Sequence, residues 1–492
     1  MRRQRCFPLP GGEGLRVRGT GANEYEGFPL SNSGLTDAPC PAFTHWKHRG
    51  TTYKQPPCAG FCAGQNIEFP SLPGGNHSRY LMRVMRQRRK IAVMAGNLLE
   101  WFPVHARSLP WRRTRDPYAI WVSEIMLQQT QVKTATPYWK RWMRELPTVA
   151  ALAAAPEQRV LKLWQGLGYY TRARNLRRAA QLVVARHGGI IPDRLDDLLA
   201  LPGVGRYTAG AVASIAFNQP AAILDGNVTR VLARLFGITR SPREAAVNRR
   251  LWELAAAMVG AAAESKAPRA CSRLNQALME LGALVCLPRQ PKCDSCPLRQ
   301  PCAARRKGLV GEIPAARLRP SAERRYHEVF VLENNGRFLM RQNPDAGVNR
   351  RLWQFPGYES QAAHRPTPAD LLGRLGIVAA RLEPLKTVRH QIMRYAIETR
   401  AHRAEFQRQE HSWAKPGRWV SLKELAALPL PSAHQKIAQM LTGGAQSETP
   451  SGASRLRRRR PGRAAPIPPP PSGSGSCPSP APRRRVRGVP GG

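Results

Sequence analysis

Between residues 91 and 302 apolar positions recur every three to four residues, the period of helices that bury one face. In 121–143, Val122, Ile125, Met126, Val132, Trp139 and Met143 keep that spacing, and Pro137 marks where the segment is expected to break. Shorter helices are predicted over 156–167, 172–187, 195–201, 207–217, 228–236, 248–259 and 276–285. The run Leu201-Pro202-Gly203-Val204-Gly205 interrupts the period and predicts a tight turn between two of them. Beyond Ala303 the texture changes. Residues 328–332 and 337–341 flank Asn334-Asn335-Gly336, a β-hairpin signal. The pattern therefore predicts a mainly α domain over 91–302, a linker over 303–318 and a smaller α/β domain over 319–440. The ends carry neither period. Residues 1–81 are dense in Gly and Pro and are expected to be a disordered extension, either a flexible arm or sequence upstream of the true start. Residues 443–492 form an Arg/Pro-rich, low-complexity tail that cannot bury a core.

Charge adds a partner to this picture. Lys and Arg number 77 against 32 Asp and Glu, a net +45. The stretches 1–90 and 443–492 hold +9 each, which leaves +27 on the patterned middle. A basic excess on the folded part points to a polyanion, most economically nucleic acid. No apolar run reaches the roughly 18 residues of a membrane helix. No apolar signal-peptide core follows the basic N-terminus. No membrane partner is expected; a monomeric, cytoplasmic, nucleoid-associated bacterial protein is taken as the working expectation.

Ten cysteines in 492 residues are too few for a disulfide scaffold. Four of them, Cys286, Cys293, Cys296 and Cys302, fall within seventeen residues at the spacing C-x6-C-x2-C-x5-C. All-thiolate ligation suits a [4Fe–4S] cluster or a zinc ion. Zinc sites usually show two tight pairs, and here only Cys293 and Cys296 are close in sequence.

This spacing, following Asn275-Gln276-Ala277-Leu278-Met279-Glu280-Leu281-Gly282, resembles the endonuclease III superfamily of helix-hairpin-helix DNA glycosylases. Within it the chain is most similar to the MutY family, which removes adenine, over roughly residues 91–435. The resemblance implies that the four cysteines hold [4Fe–4S]. It implies that the turn after Leu201 is a hairpin gripping the DNA backbone through Gly203, Val204 and Gly205, with a monovalent cation on its carbonyls. Glycines there let the main chain approach a phosphate at a helix N-terminus, a contact that positions DNA without reading sequence.

Two carboxylates then matter. Asp225, in Leu224-Asp225-Gly226-Asn227-Val228, reads by itself as a helix N-cap. In the family it faces the deoxyribose and stabilises its cation or traps it covalently, and Asn227 is expected among the residues that bind the DNA. Glu124 lies in the apolar stretch Trp121-Val122-Ser123-Glu124-Ile125-Met126, where desolvation would hold it protonated, as a general acid at neutral pH requires. The matching family residue protonates N7 of adenine. Family members that also cut the strand carry Lys after the residue matching Arg206; this chain has Tyr207, which cannot form an imine. A monofunctional glycosylase leaving an abasic site is expected, with Tyr207 supporting the transition state. The alternatives are an endonuclease III-like glycosylase/lyase and a non-catalytic Fe–S DNA-binding protein. The resemblance further places Trp111, Arg112 and Leu127 around the adenine, and Gln129, Tyr169 and Leu167 against the orphaned partner base once adenine is flipped out of the duplex.

Residues 319–435 resemble the Nudix (MutT-like) domain of that family, carried by the hairpin at Asn334-Asn335-Gly336 and by Leu352-Trp353-Gln354-Phe355-Pro356-Gly357. The sequence after Gly357 lacks the Glu-rich helix that holds Mg²⁺ in Nudix hydrolases, so a recognition domain is expected. The family reads 8-oxoguanine opposite adenine partly through a Phe-Ser-His triplet; here Ile392, Met393 and Arg394 stand in its place. Double-stranded DNA with adenine opposite 8-oxoguanine or guanine is the expected partner.

Overall fold

The computed structural model describes residues 76–315, 321–344, 349–362, 364–392, 394–410 and 417–441. The two tails expected to be disordered lie outside these residues, apart from the start of a helix at Asn76. That helix, Asn76–His105, begins before the apolar pattern does. Met82 and Met85 are exposed, and continuous burial starts only at Ile91 and Met94.

Two apolar cores organise the helical domain. The first gathers Asn76–His105, Gly226–Phe236, Ala245–Ala263 and Ala270–Leu284 around Leu98, Leu232, Leu251, Met258 and Leu278. The second gathers Val132–Glu145, Val149–Ala154, Glu157–Trp164, Thr171–His187 and Leu195–Leu199 around Trp142, Leu152, Leu161 and Trp164. Pro117–Leu127 and Arg206–Ile215 run between the cores and serve both. Ile120, Ala211 and Ile215 belong to the first core; Tyr118, Trp121, Val122, Ala209 and Val212 belong to the second. Each fully buried aliphatic side chain contributes about 1.5–3 kcal/mol, so this seam is held from both sides.

Local chemistry sets the helix ends. Asp116 caps Pro117–Leu127 by accepting from the amides of Tyr118 and Ala119, with Pro117 at the first helical position. The segment expected as one helix over 121–143 is two, Pro117–Leu127 and Val132–Glu145. The break falls at 128–131 and not at Pro137, which lies inside the second helix. Gln129 there takes φ 56°, a left-handed conformation that no helix can continue through. The stretch 303–318, expected as a linker, is partly domain. Ala303–Arg306 is helical, and Ala304 and Ile313 are buried in the first core.

The second domain is built on a mixed sheet of β1 (Glu323–Asn334), β2 (Arg337–Gln342), β3 (Trp353–Gln354), β4 (Gly357–Ser360), β5 (Ile377–Pro384), β6 (Val388–Ile392), β7 (Tyr395–Gln409) and β8 (Arg418–Val420). The order is β3-β2-β1-β7-β5, with β4 on β1, β6 on β7 and β8 on β2. The central pair β1–β7 is parallel; the other pairs are antiparallel. The hairpin at Asn335-Gly336 forms as the sequence predicts, with φ 48° and 68° at its two central residues. The helix Pro368–Leu375 covers one face, and Leu422–Ala427 and Ser432–Leu441 pack on the other. The two domains are joined by Leu352, buried in the second helical core, and by hydrogen bonds from Tyr170 Oη to Leu430 O (3.1 Å) and from Lys162 Nζ to Leu428 O (3.0 Å).

Candidate active site

The seam between the cores opens into a cavity of 570 Å³. It is lined by Trp111, Arg112, Glu124, Leu127, Gln129, Tyr207, Asp225 and Asn227, which the sequence reading had singled out from distant parts of the chain. Glu124 enters from Pro117–Leu127, whose residues from Tyr118 to Met126 are all buried. Only 5% of it is exposed. Burial pushes its carboxyl up to about 7, helped by the nearby charge of Asp225 and opposed by the hydrogen bond from Tyr207 and the charge of Arg112. Tyr207 is on the other seam helix, and its Oη donates to Glu124 Oε2 at 2.7 Å. Burial, then the charges of Glu124 and Asp225, drive the Tyr207 phenol well above its ordinary value, so it stays a neutral donor.

Asp225 divides its work between its two oxygens. Oδ1 accepts from the amide of Val228 at 2.7 Å, the N-cap of Gly226–Phe236. Oδ2 accepts from Asn227 Nδ2 at 3.0 Å. The carboxylate is thereby fixed on the cavity wall with the helix N-terminus behind it, where negative charge is favoured. Asn227 is pressed against Gly282. A Cβ at that glycine would lie 2.6 Å from Asn227 Cβ, so only glycine allows the approach.

Sequence reasoning missed a third acid of the cavity. Glu280, fully buried, accepts from Arg107 (2.7 and 2.8 Å) and Arg112 (2.9 Å). Burial alone would raise it, but the arginine bonds outweigh burial and bring it down to about 2. Glu124 and Glu280 line one cavity in opposite states at neutral pH, one poised to hold a proton and one permanently ionised. Leu278-Met279-Glu280-Leu281 sets an acid among apolar residues, but the arginines that pair with it lie 168 and 173 residues away in the chain.

Gln129 and Tyr169 lie at the rim on two loops. Both have left-handed backbones, φ 56° and 48°, uncommon for side-chain-bearing residues and typical of functional loops. Both are exposed, Tyr169 at 52%. They meet at a second cavity of 220 Å³ that also touches Gly203. Gly203 has φ 77°, and a Cβ there would collide with Asn175 at 2.7 Å. Two residues expected at the DNA face have buried side chains. Val204 is buried in the second core, and its amide donates to Leu201 O (3.1 Å) within the turn. Leu167 is also a core side chain, though it lines the cleft between the domains.

Cys286, Cys293, Cys296 and Cys302 ring one pocket with Val231, Leu235 and Leu298. None is in a disulfide. Among the described residues no group of three or more His, Cys, Asp or Glu converges on a single ion. Burial pushes the Cys296 thiol up to about 11. The Arg234 guanidinium is buried beside the pocket with Nη1 3.4 Å from Cys286 Sγ; its other acceptors among the described residues are the carbonyls of Leu287, Pro288 and Ile313. A buried cation without a carboxylate partner fits a site that carries negative charge when filled.

In the second domain, Pro368–Leu375 carries one acid, Asp370, which is committed to a capping box with Thr367. Ile392 and Tyr395 line a 610 Å³ cleft together with Leu167 and Tyr169 of the helical domain. Met393 lies outside the described residues.

Residues 122–257 match the HhH-GPD superfamily base excision DNA repair proteins, and residues 328–440 match the NUDIX domain. The adenine DNA glycosylase of Mus musculus is 34% identical over 408 residues, 71% of this chain and 78% of that protein. The adenine DNA glycosylase of Homo sapiens is 32% identical over 478 residues, 81% of this chain and 84% of that protein. Among solved structures, a thermostable thymine-DNA glycosylase aligns with 45% of this chain and 99% of its own at 30% identity, with a TM-score of 0.40. With both domains matched in order and most of each relative covered, the chain belongs to the adenine DNA glycosylase family.

Proposed function

We propose that this protein hydrolyses the N-glycosidic bond of adenine opposite 8-oxoguanine or guanine in double-stranded DNA and leaves an abasic site. The observation that carries this reading is the pairing of a neutral-range acid, Glu124 at about 7, with Asp225 across one cavity. Protonated Glu124 delivers its proton to N7 of the flipped adenine, which makes the base a better leaving group. Asp225 holds negative charge against the sugar as the bond breaks through an oxocarbenium-like state. Tyr207 orients Glu124 and keeps its second oxygen occupied. Arg112, fixed by Glu280, presents a rigid donor edge to the base. Glu124, once ionised, can accept a proton from the attacking water.

The hairpin supplies no amine, since Tyr207 takes the place of a lysine nucleophile; the product is an abasic site and not a nicked strand. Cys286, Cys293, Cys296 and Cys302 hold a [4Fe–4S] cluster, which when bound fixes the loop bearing Arg289, Lys292 and Arg299. Those side chains meet phosphate. The second domain stands over the base opposite adenine, through the cleft that Tyr169 shares with Ile392 and Tyr395. The protein acts as a monomer on DNA in the bacterial cytoplasm. The test is release of adenine from a labelled duplex with adenine opposite 8-oxoguanine, followed with and without hot alkali. Scission only after alkali supports the reading. Nicking without alkali at the rate of adenine release refutes it in favour of a glycosylase/lyase.

A further inference from the structure

Arg172 stands in the first turn of Thr171–His187, behind the rim of the active-site cavity and outside the catalytic group. Its guanidinium reaches two loops at once. Nη1 donates to Ile125 O (2.8 Å), Met126 O (3.2 Å) and Gln128 O (2.5 Å). Nη2 donates to Leu167 O (3.0 Å), Gly168 O (3.1 Å) and Thr130 Oγ1 (3.4 Å). The first set closes the C-terminus of Pro117–Leu127, where carbonyls lack helical partners and a cation is favoured. The second closes the turn before Tyr169 and also reaches Thr130 of the Gln129 loop. The plane also sits over the rings of Trp164 (5.1 Å) and Tyr169 (5.8 Å). All six acceptors are neutral, so the charge is not tied up in an ion pair with any of them.

We propose that Arg172 is a positioning residue that locks the Gln129 loop to the Tyr169 loop, so that both side chains enter the duplex as one preset wedge when adenine is extruded. The inference rests on the reading of Gln129 and Tyr169 as the residues that replace the flipped base. Its physical basis is the strain those loops carry. Gln129 and Tyr169 hold left-handed backbones that short polar loops would relax from if free. One guanidinium with donors on both sides of its fork fixes the two relative to each other. Lysine would keep the charge but cannot present a planar fork to two sets of carbonyls.

The experiment uses the full-length, cluster-loaded protein and a duplex with 2-aminopurine next to the target adenine, whose fluorescence rises when the neighbouring base leaves the stack. Extrusion is followed by stopped flow, adenine release by single-turnover quench, and affinity on a duplex with a stable abasic analogue, which has no base to extrude. Arg172→Ala is expected to slow extrusion and release together, on the order of a hundredfold, the scale of an ångström-level misplacement. Affinity for the abasic duplex should be preserved. Arg172→Lys should fall between the two, which separates geometry from charge. Extrusion at the wild-type rate in Arg172→Ala or Arg172→Lys overturns the proposal, as does equal loss of affinity for the abasic duplex, which marks a merely structural role. If Arg172→Ala does not fold, Arg172→Lys decides by the same criteria. Gln129→Ala and Tyr169→Ala separate the two layers. Slow extrusion in these variants with normal extrusion in Arg172→Ala refutes the lock and leaves the wedge standing. Normal extrusion in both refutes the wedge and with it the lock.

Discussion

Glu124→Gln should make the protein more stable at alkaline pH while abolishing adenine release. The stability half follows from the cavity. A buried carboxyl that titrates near 7 instead of 4.5 is disfavoured in its charged form by about 3 kcal/mol. The folded-state value is raised, so the group favours the folded protein most when protonated, and that advantage is lost as pH climbs towards and through 7. Glutamine keeps the shape, still accepts from Tyr207, and has no charge to bury. The variant should therefore gain nothing near pH 4, begin to gain above pH 5, and reach its full advantage above pH 8. For a domain of this size about 3 kcal/mol corresponds to roughly 6–12 °C in melting temperature. The assay is a pair of melting curves, wild type and variant, at several pH values with the cluster content matched. A two-domain chain need not unfold in one step, so the comparison is the difference between the two proteins at each pH and not an absolute free energy. A pH-independent difference, or one that grows towards acid, would falsify the assignment of a buried, proton-holding Glu124.

Four further outcomes follow from the same geometry. Adenine release by the wild type should decline as pH rises through about 7, because the acid loses its proton there, and a flat rate between pH 6 and 8.5 counts against general acid catalysis by Glu124. Glu280→Gln leaves Arg112 and Arg107 without their shared carboxylate; a loss of about 3 kcal/mol, the scale of a broken buried pair, should accompany reduced activity, and unchanged denaturant midpoints refute the pairing. Cys296→Ser should cost the brown colour of the cluster and DNA affinity together, and a coloured, tightly binding variant removes Cys296 from the ligand set. Affinity should fall with salt at a log–log slope of about −0.9 per phosphate neutralised, and removal of residues 443–492 should soften it only modestly because the middle of the chain holds +27.

What the sequence made legible was local or carried by motif. The hairpin at Asn335-Gly336 needs two adjacent left-handed residues, and few dipeptides supply them, so it could be placed from composition. The apolar stretch around Glu124 predicted its burial and the direction of its shift, because a helix buried on all faces desolvates whatever it carries. Three features were not legible. The helix break at 128–131 has no glycine or proline to announce it, and the Arg172 guanidinium that bonds Gln128 and Thr130 there comes from more than 40 residues away. The inward packing of Ala304 and Ile313 depends on a surface that the first core creates only after folding. Glu280 looked like any acid on a helix until Arg107 and Arg112, 173 and 168 residues away, were brought to it.

The placement of Glu124 and Tyr207 also shows what a seam between two cores provides. Pro117–Leu127 and Arg206–Ile215 are the helices that both cores share, and each carries one member of the Glu124–Tyr207 bond. A side chain on such a seam is fixed by packing on two sides and shielded from water on both. That is the condition for holding a carboxyl near 7 and a phenol as a permanent donor. Asp225 is set differently. It stands at the end of a helix of the first core, where the Val228 amide and the helix N-terminus favour its charge. The two carboxyls thus sit in different surroundings, one within the seam and one capping a helix end beside it. A glycosidic bond drawn between them meets a proton donor on the base side and a fixed anion on the sugar side. Moving either group across that boundary would equalise their environments and remove the difference on which the proposed chemistry depends.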